Sequence, residues 1–91
     1  MVKIYKVVWK DAQGGANVGW RELDELTQAK VATAVSCGAL LVNDEEKIII
    51  CPHMLVEDGA IIEGDAEIVI PKQWVILLEE LEAINGVSVQ G

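Results

Sequence analysis

The sequence has no phenylalanine, a single tyrosine and three tryptophans in 91 residues, so its core must be built almost wholly from aliphatic side chains. Two cysteines and one histidine exclude a disulfide scaffold, and the paired Cys-x-x-Cys spacing of structural zinc sites is missing. Basic residues are scarce beyond residue 30, where only Lys47 and Lys72 oppose eleven carboxylates, and the formal net charge is −8. Such a field repels phosphate backbones and argues against general nucleic-acid binding. Apolar runs such as Trp74 to Leu78 fall far short of the roughly 20 residues of a membrane helix. Met1-Val-Lys-Ile-Tyr-Lys has no signal-peptide pattern. The expectation is a soluble, cytoplasmic chain with no membrane contact and with Cys37 and Cys51 as free thiols.

What is present is strand-forming. With 52% apolar residues, a single domain over residues 1–91 has a core in its composition, and residues 85–91 read as a flexible tail. Val2 to Trp9 is apolar on both faces and predicts a central or covered strand. Residues 31–38, 39–42, 47–51 and 67–70 are short runs rich in β-branched residues, and Asn43-Asp-Glu-Glu46 lies where a hairpin must reverse. Asp11 to Gly19 reads as a glycine-rich loop, and Trp20, Leu23 and Leu26 fall at helical spacing in a short amphipathic helix. Pro71-Lys-Gln73 predicts a tight turn.

Two readings fit the segment that follows. Trp74, Leu77, Leu78, Leu81 and Ile84 share one helical face, with Asn85-Gly86 as a C-cap signal. A strand from about Trp74 to Glu80 after a one-turn connector buries the same residues. Val75 and Ile76 would be left in solvent by the helix, and Glu79, Glu80 and Glu82 would crowd its negative end, which favours the strand. The predicted class is therefore mainly β with a minor helical part, a small SH3-like or Sm-like β-barrel with one short helix after the glycine-rich loop. An aliphatic barrel with exposed edges predicts a homo-oligomer.

The candidate chemistry is thin. Gly14 to Gly19 has the glycine spacing of a phosphate-binding loop, but Trp20-Arg21 stands where Lys and Ser or Thr are needed. Cys37, Cys51 and His53 are the soft metal ligands and lack the spacing of a structural site, so no metal and no cofactor are expected. A thiolate pair of Cys37 or Cys51 with His53 lacks an orienting third group, and the protein is not expected to be an enzyme. Trp9, Lys10, Trp20 and Arg21 flank the glycine loop. An indole face beside a guanidinium can hold a purine ring and its phosphate, with Lys72 as a further cation. These five form the expected site for a small anionic, nucleotide-like ligand. The alternative is docking of a basic protein through Glu57, Asp58, Glu63, Asp65 and Glu67. The plain alternative to both is that the tryptophans pack and the carboxylates solubilise.

Gly38-x-Leu-x-x-x-Asp44 followed by Ile48-Ile-Ile50 resembles the bent hairpin of Sm-like proteins. Ile70-Pro-Lys72 stands where those proteins carry a basic-glycine signature, so uridine-tract binding does not carry over. Over most of the chain, Trp9-x-Asp11, Gly19-Trp20, Ser36-x-Gly38-x-Leu-x-x-x-Asp44 and Ile70-Pro-Lys72 resemble small uncharacterised proteins of bacteriophages and prophages. Cys51-Pro-His53 departs from the polar residues common there. That resemblance implies an accessory, counter-defence or host-modulating role in the host cytoplasm, as a sequestering binder, an inhibitor or a structural phage component. It implies no reaction.

Overall fold

The computed structural model describes residues 2–12 and 19–82. The expected tail over 85–91 and most of the glycine-rich loop lie outside these residues. Seven strands, one short helix and a 3-10 turn follow in order. They are β1 (Ile4–Asp11), α1 (Leu23–Thr27), β2 (Ala32–Asn43), β3 (Lys47–Cys51), β4 (His53–Glu57), β5 (Ala60–Asp65), β6 (Ile68–Pro71), the turn Lys72–Trp74 and β7 (Val75–Leu81). The chain is mainly β, as its β-branched runs predict. Among the described residues after Pro71 the strand reading holds: Val75–Leu81 is a strand, entered by the one-turn connector Lys72–Trp74.

Five strands form one antiparallel sheet in the order β6-β3-β2-β1-β7, and β4 and β5 form a separate hairpin. β1 is central, between β2 and β7. The two edge strands, β6 and β7, are joined by only the three residues Lys72–Trp74. Four Cα steps from Pro71 to Val75 span at most about 15 Å, whereas edge strands of a flat five-stranded sheet stand about 19 Å apart. The sheet must therefore curl. It does not close into the expected barrel, since β6 and β7 are not hydrogen-bonded neighbours.

The curl is made within β2. Its first half pairs with β1 up to Ala39, and its second half pairs with β3 from Ala39 onward. The expected strands 31–38 and 39–42 are thus one strand that passes between two halves of the sheet, which is how orthogonal sheet corners are built. Gly38 sits at the corner, and the register of β2 against β3 shifts between Leu40 and Val42. The bend is pinned at the β2–β3 turn, where Asp44 Oδ1 accepts the amides of Glu46 and Lys47, each at 2.8 Å. Those two hydrogen bonds, and the Lys47 ammonium at 3.3 Å, hold the Asp44 carboxyl below its ordinary value of 3.8. The Lys72 amide donates to the Glu46 carbonyl at 2.9 Å, tying the connector to the same turn.

Inside the curl, Val7, Ile48, Ile50 and Ile70 are fully buried, with Trp9, Leu40, Ile68, Val75 and Leu78 packed around them. Truncating any of the buried isoleucines to Ala costs about 2–5 kcal/mol. α1 adds nothing to this core. It begins three residues later than the Trp20 start that its spacing predicts, has no side-chain N-cap bond, and buries none of its residues. Five residues cannot sustain a helix by propensity alone, and the face of Trp20, Leu23 and Leu26 stays exposed. Among the described residues no helix is long and apolar enough to cross a membrane.

Candidate functional site

The five residues of the expected nucleotide site have separate fates. Trp9 turns its ring onto the core, and its indole N–H donates to Ser36 Oγ at 3.1 Å. That ring is committed to packing, with Val75 beside it in register on β7 and Ala34 on β2. The Lys10 ammonium donates to Thr33 Oγ1 at 3.0 Å on the neighbouring strand. Lys72 donates to Asn43 Oδ1 at the β2–β3 turn. Ahead of α1, Trp20 is fully exposed and Arg21 is exposed, and both share a shallow depression with Glu22, Leu23 and Glu25. Trp20 and Arg21 thus line one depression, and the charged residues that share it, Glu22 and Glu25, are carboxylates rather than cations.

The carboxylates of the alternative site are spread along one hairpin and the residues that follow it, and only Glu63 and Asp65 share a groove. β4 and β5 are joined by the two-residue loop Asp58-Gly59, with φ of 52° and 79°. Positive φ at both positions is the type I′ geometry that matches strand twist, and Gly59 adopts it without strain. The hairpin carries Glu57, Asp58, Glu63 and Asp65, and Glu67 follows just before β6; all five are exposed. In register, His53 lies opposite Asp65 and Leu55 opposite Glu63. Together with Pro52 and Met54 they line an open groove of about 440 Å³. Apolar Pro52, Met54 and Leu55 line it together with His53 and the Glu63 and Asp65 carboxylates.

The groove has chemistry that a merely solubilising surface lacks. Apolar side chains beside two carboxylates fit the aliphatic stem and charged head of a Lys or Arg side chain. The hairpin also exposes Leu55, Val56 and Ile62, three large aliphatic residues on one two-stranded unit. A lone two-stranded hairpin is at best marginally stable in water. This one is anchored at its base, where the buried Cys51 thiol lies 3.0 Å from the His53 carbonyl and 3.4 Å from that of Asp65.

The same anchoring settles the disposition of the soft ligands. Cys51 is buried at the hairpin base, Cys37 is exposed on β2, and both are free thiols. Among the described residues no three or more His, Cys, Asp or Glu side chains are grouped to hold a metal ion. The β4–β5 hairpin is the part of the site that sequence reading misses, because its strand runs stop at Cys51 and resume only at residue 67. Asp58-Gly59 between Met54-Leu-Val56 and Ala60-Ile-Ile62 was the available signal. Comparison of the chain with protein-family models, with curated proteins and with solved structures finds no match, so the likeness to phage proteins rests on the quoted motifs alone.

Proposed function

We propose that this is a non-enzymatic binding protein whose β4–β5 hairpin docks a basic surface of another protein. The observation that carries this reading is the groove lined by Pro52, Met54 and Leu55 together with the carboxylates Glu63 and Asp65. A cationic side chain entering it would bury its stem on Pro52 and Leu55 and place its charge between the carboxylates. Glu57 and Asp58 at the tip and Glu67 at the base extend the negative field and would steer a basic partner toward the groove. The resemblance to phage proteins makes the partner a protein of the bacterial host and the role that of an acidic inhibitor.

The test compares capture of proteins from a bacterial lysate by wild type and by a Glu63→Lys/Asp65→Lys variant, at low and at 0.5 M salt. A basic protein held by wild type, released by salt and lost from the variant supports docking through the hairpin. Equal capture by both removes it. A second reading, sequestration of a nucleotide-like anion, is favoured by the fully exposed Trp20 beside Arg21. Calorimetric titration with linear and cyclic nucleotides decides that reading, with Arg21→Ala as the control.

A further inference from the structure

β7 is an edge strand of seven residues, and among the described residues its outer side pairs with no other strand. Long edges that offer free N–H and C=O groups are templates for pairing, and proteins normally blunt them. The opposite edge, β6, is only four residues long and ends in Pro71. β7 contains no proline or glycine and exposes Ile76, Leu77 and Leu81. Its two carboxylates are already engaged by the neighbouring strand: Glu79 lies 3.7 Å from Lys6, and Glu80 lies 3.8 Å from Lys3.

The apolar character continues onto the adjoining strands. Leu77 on β7, Val8 on β1 and Val35 on β2 are directly opposite one another in register, forming a row across three strands on the outer face. Val35 and Leu77 are 61% and 43% exposed, too much for residues whose only role is to pack. We infer that β7 is the pairing edge of a two-fold homodimer, in which β7 of a second copy adds antiparallel to it.

The occupant is a second copy because β7 can pair antiparallel with itself, centred on Leu78, without like charges meeting. Antiparallel pairing centred on Leu78 sets Leu78 against Leu78 of the other copy, Leu77 against Glu79, and Ile76 against Glu80. No carboxylate then meets a carboxylate directly. Parallel in-register pairing, or centring on Glu79, would set like charges opposite each other, which is destabilising. The centred register also joins the two cores, since Leu78 packs against the buried cluster in each copy. The net charge of −8 on each copy opposes association, so the dimer should tighten as salt screens it. The inference concerns the oligomer and is independent of what the hairpin binds.

The decisive experiment is sedimentation equilibrium of wild type, Leu77→Glu and Leu77→Lys at 0.15 M salt, with circular dichroism to verify folding. Wild type should reach twice its 9.9 kDa mass in the micromolar range. Leu77→Glu places two symmetry-related like-charge pairs at the interface and should weaken dimerisation roughly tenfold, whereas Leu77→Lys, facing Glu79, should not. A wild type that stays monomeric at 100 µM, or equal effects of the two substitutions, overturns the inference. Should Leu77→Glu fail to fold, Leu78→Cys in a Cys37→Ser background decides. Antiparallel partners lie within disulfide range, so it should form a cross-linked dimer on mild oxidation. Absence of the cross-link where wild type dimerises overturns the register.

Discussion

A Cβ added to Gly38 would lie 2.6 Å from the carbonyl oxygen of Cys51. That separation is below any real Cβ contact, and the obstacle is backbone rather than a flexible side-chain tip. β2 and β3 can approach this closely at the corner of the sheet only because residue 38 has no side chain. The corner in turn brings Pro71 within reach of Val75. Gly38→Ala should therefore destabilise by about 1–3 kcal/mol, the usual cost of overpacking. Urea unfolding gives the number, and a change under 0.5 kcal/mol would show that the corner has slack.

Asp44 supplies a pH-dependent contribution. Its folded-state carboxyl titrates below the ordinary 3.8 because it accepts the Lys47 and Glu46 amides. A depressed folded value means stability that is present above 3.8 and lost as pH falls through the lower folded value. The stability difference between wild type and Asp44→Ala should accordingly be constant near neutrality and shrink below about pH 4. Thermal melts at a series of pH values follow it, and a difference that grows on acidification contradicts the assignment.

Ala66 adopts a φ of 63° between β5 and β6, held by its amide donating to Asp65 Oδ1 at 2.8 Å. A left-handed conformation costs a residue with a Cβ about 1–2 kcal/mol, and glycine avoids it at some cost in unfolded-chain entropy. Ala66→Gly should leave stability unchanged or raise it by up to about 1 kcal/mol. Destabilisation would mean that the methyl group makes a contact which outweighs the strain.

The two thiols should react very differently. Cys37 is exposed on β2, whereas Cys51 is buried under the hairpin base with a Cβ-sized space denied at Gly64, 2.7 Å from its Sγ. A thiol reagent should label one cysteine per native chain rapidly and the second only on unfolding. Rapid labelling of both would show that the hairpin base opens in the native state.

Trp20→Ala and Arg21→Ala should each shift stability by less than about 0.5 kcal/mol, as for exposed surface sites. The helical spacing of Trp20 with Leu23 and Leu26 predicts a larger loss for Trp20→Ala. The structure removes that expectation, since the ring and both leucines are exposed. A thermal melt of each variant checks it.

How far the fold could be read in advance varies along the chain. β1 and β3 were legible because their apolar residues are nearly continuous, and the β2–β3 reversal because Asn43 to Glu46 has no apolar alternative. The strand at β7 was separable from a helix because Val75 and Ile76 would have been wasted on solvent and Glu79, Glu80 and Glu82 would have stacked at a helix C-terminus. The hairpin was obscured by its own charges: five carboxylates within residues 57–67 hide the alternation of a strand. The helix failed in the opposite way. Its periodicity is genuine, but periodicity states which residues could share a face and not whether anything packs on it.

The sequence by itself determined the mainly β class, the aliphatic core and the negative field, because each follows from composition and local steric preference. Tertiary structure decided which charges and aromatics act together, because that depends on contacts between residues far apart in the chain. Ser36 claims the Trp9 indole, Thr33 the Lys10 ammonium and Asn43 the Lys72 ammonium, over separations of 23 to 29 residues. Those long-range partners orient three of the five expected ligand-binding residues. The Asp58-Gly59 turn, by reversing the chain, set Glu63 beside Leu55 and Asp65 beside His53.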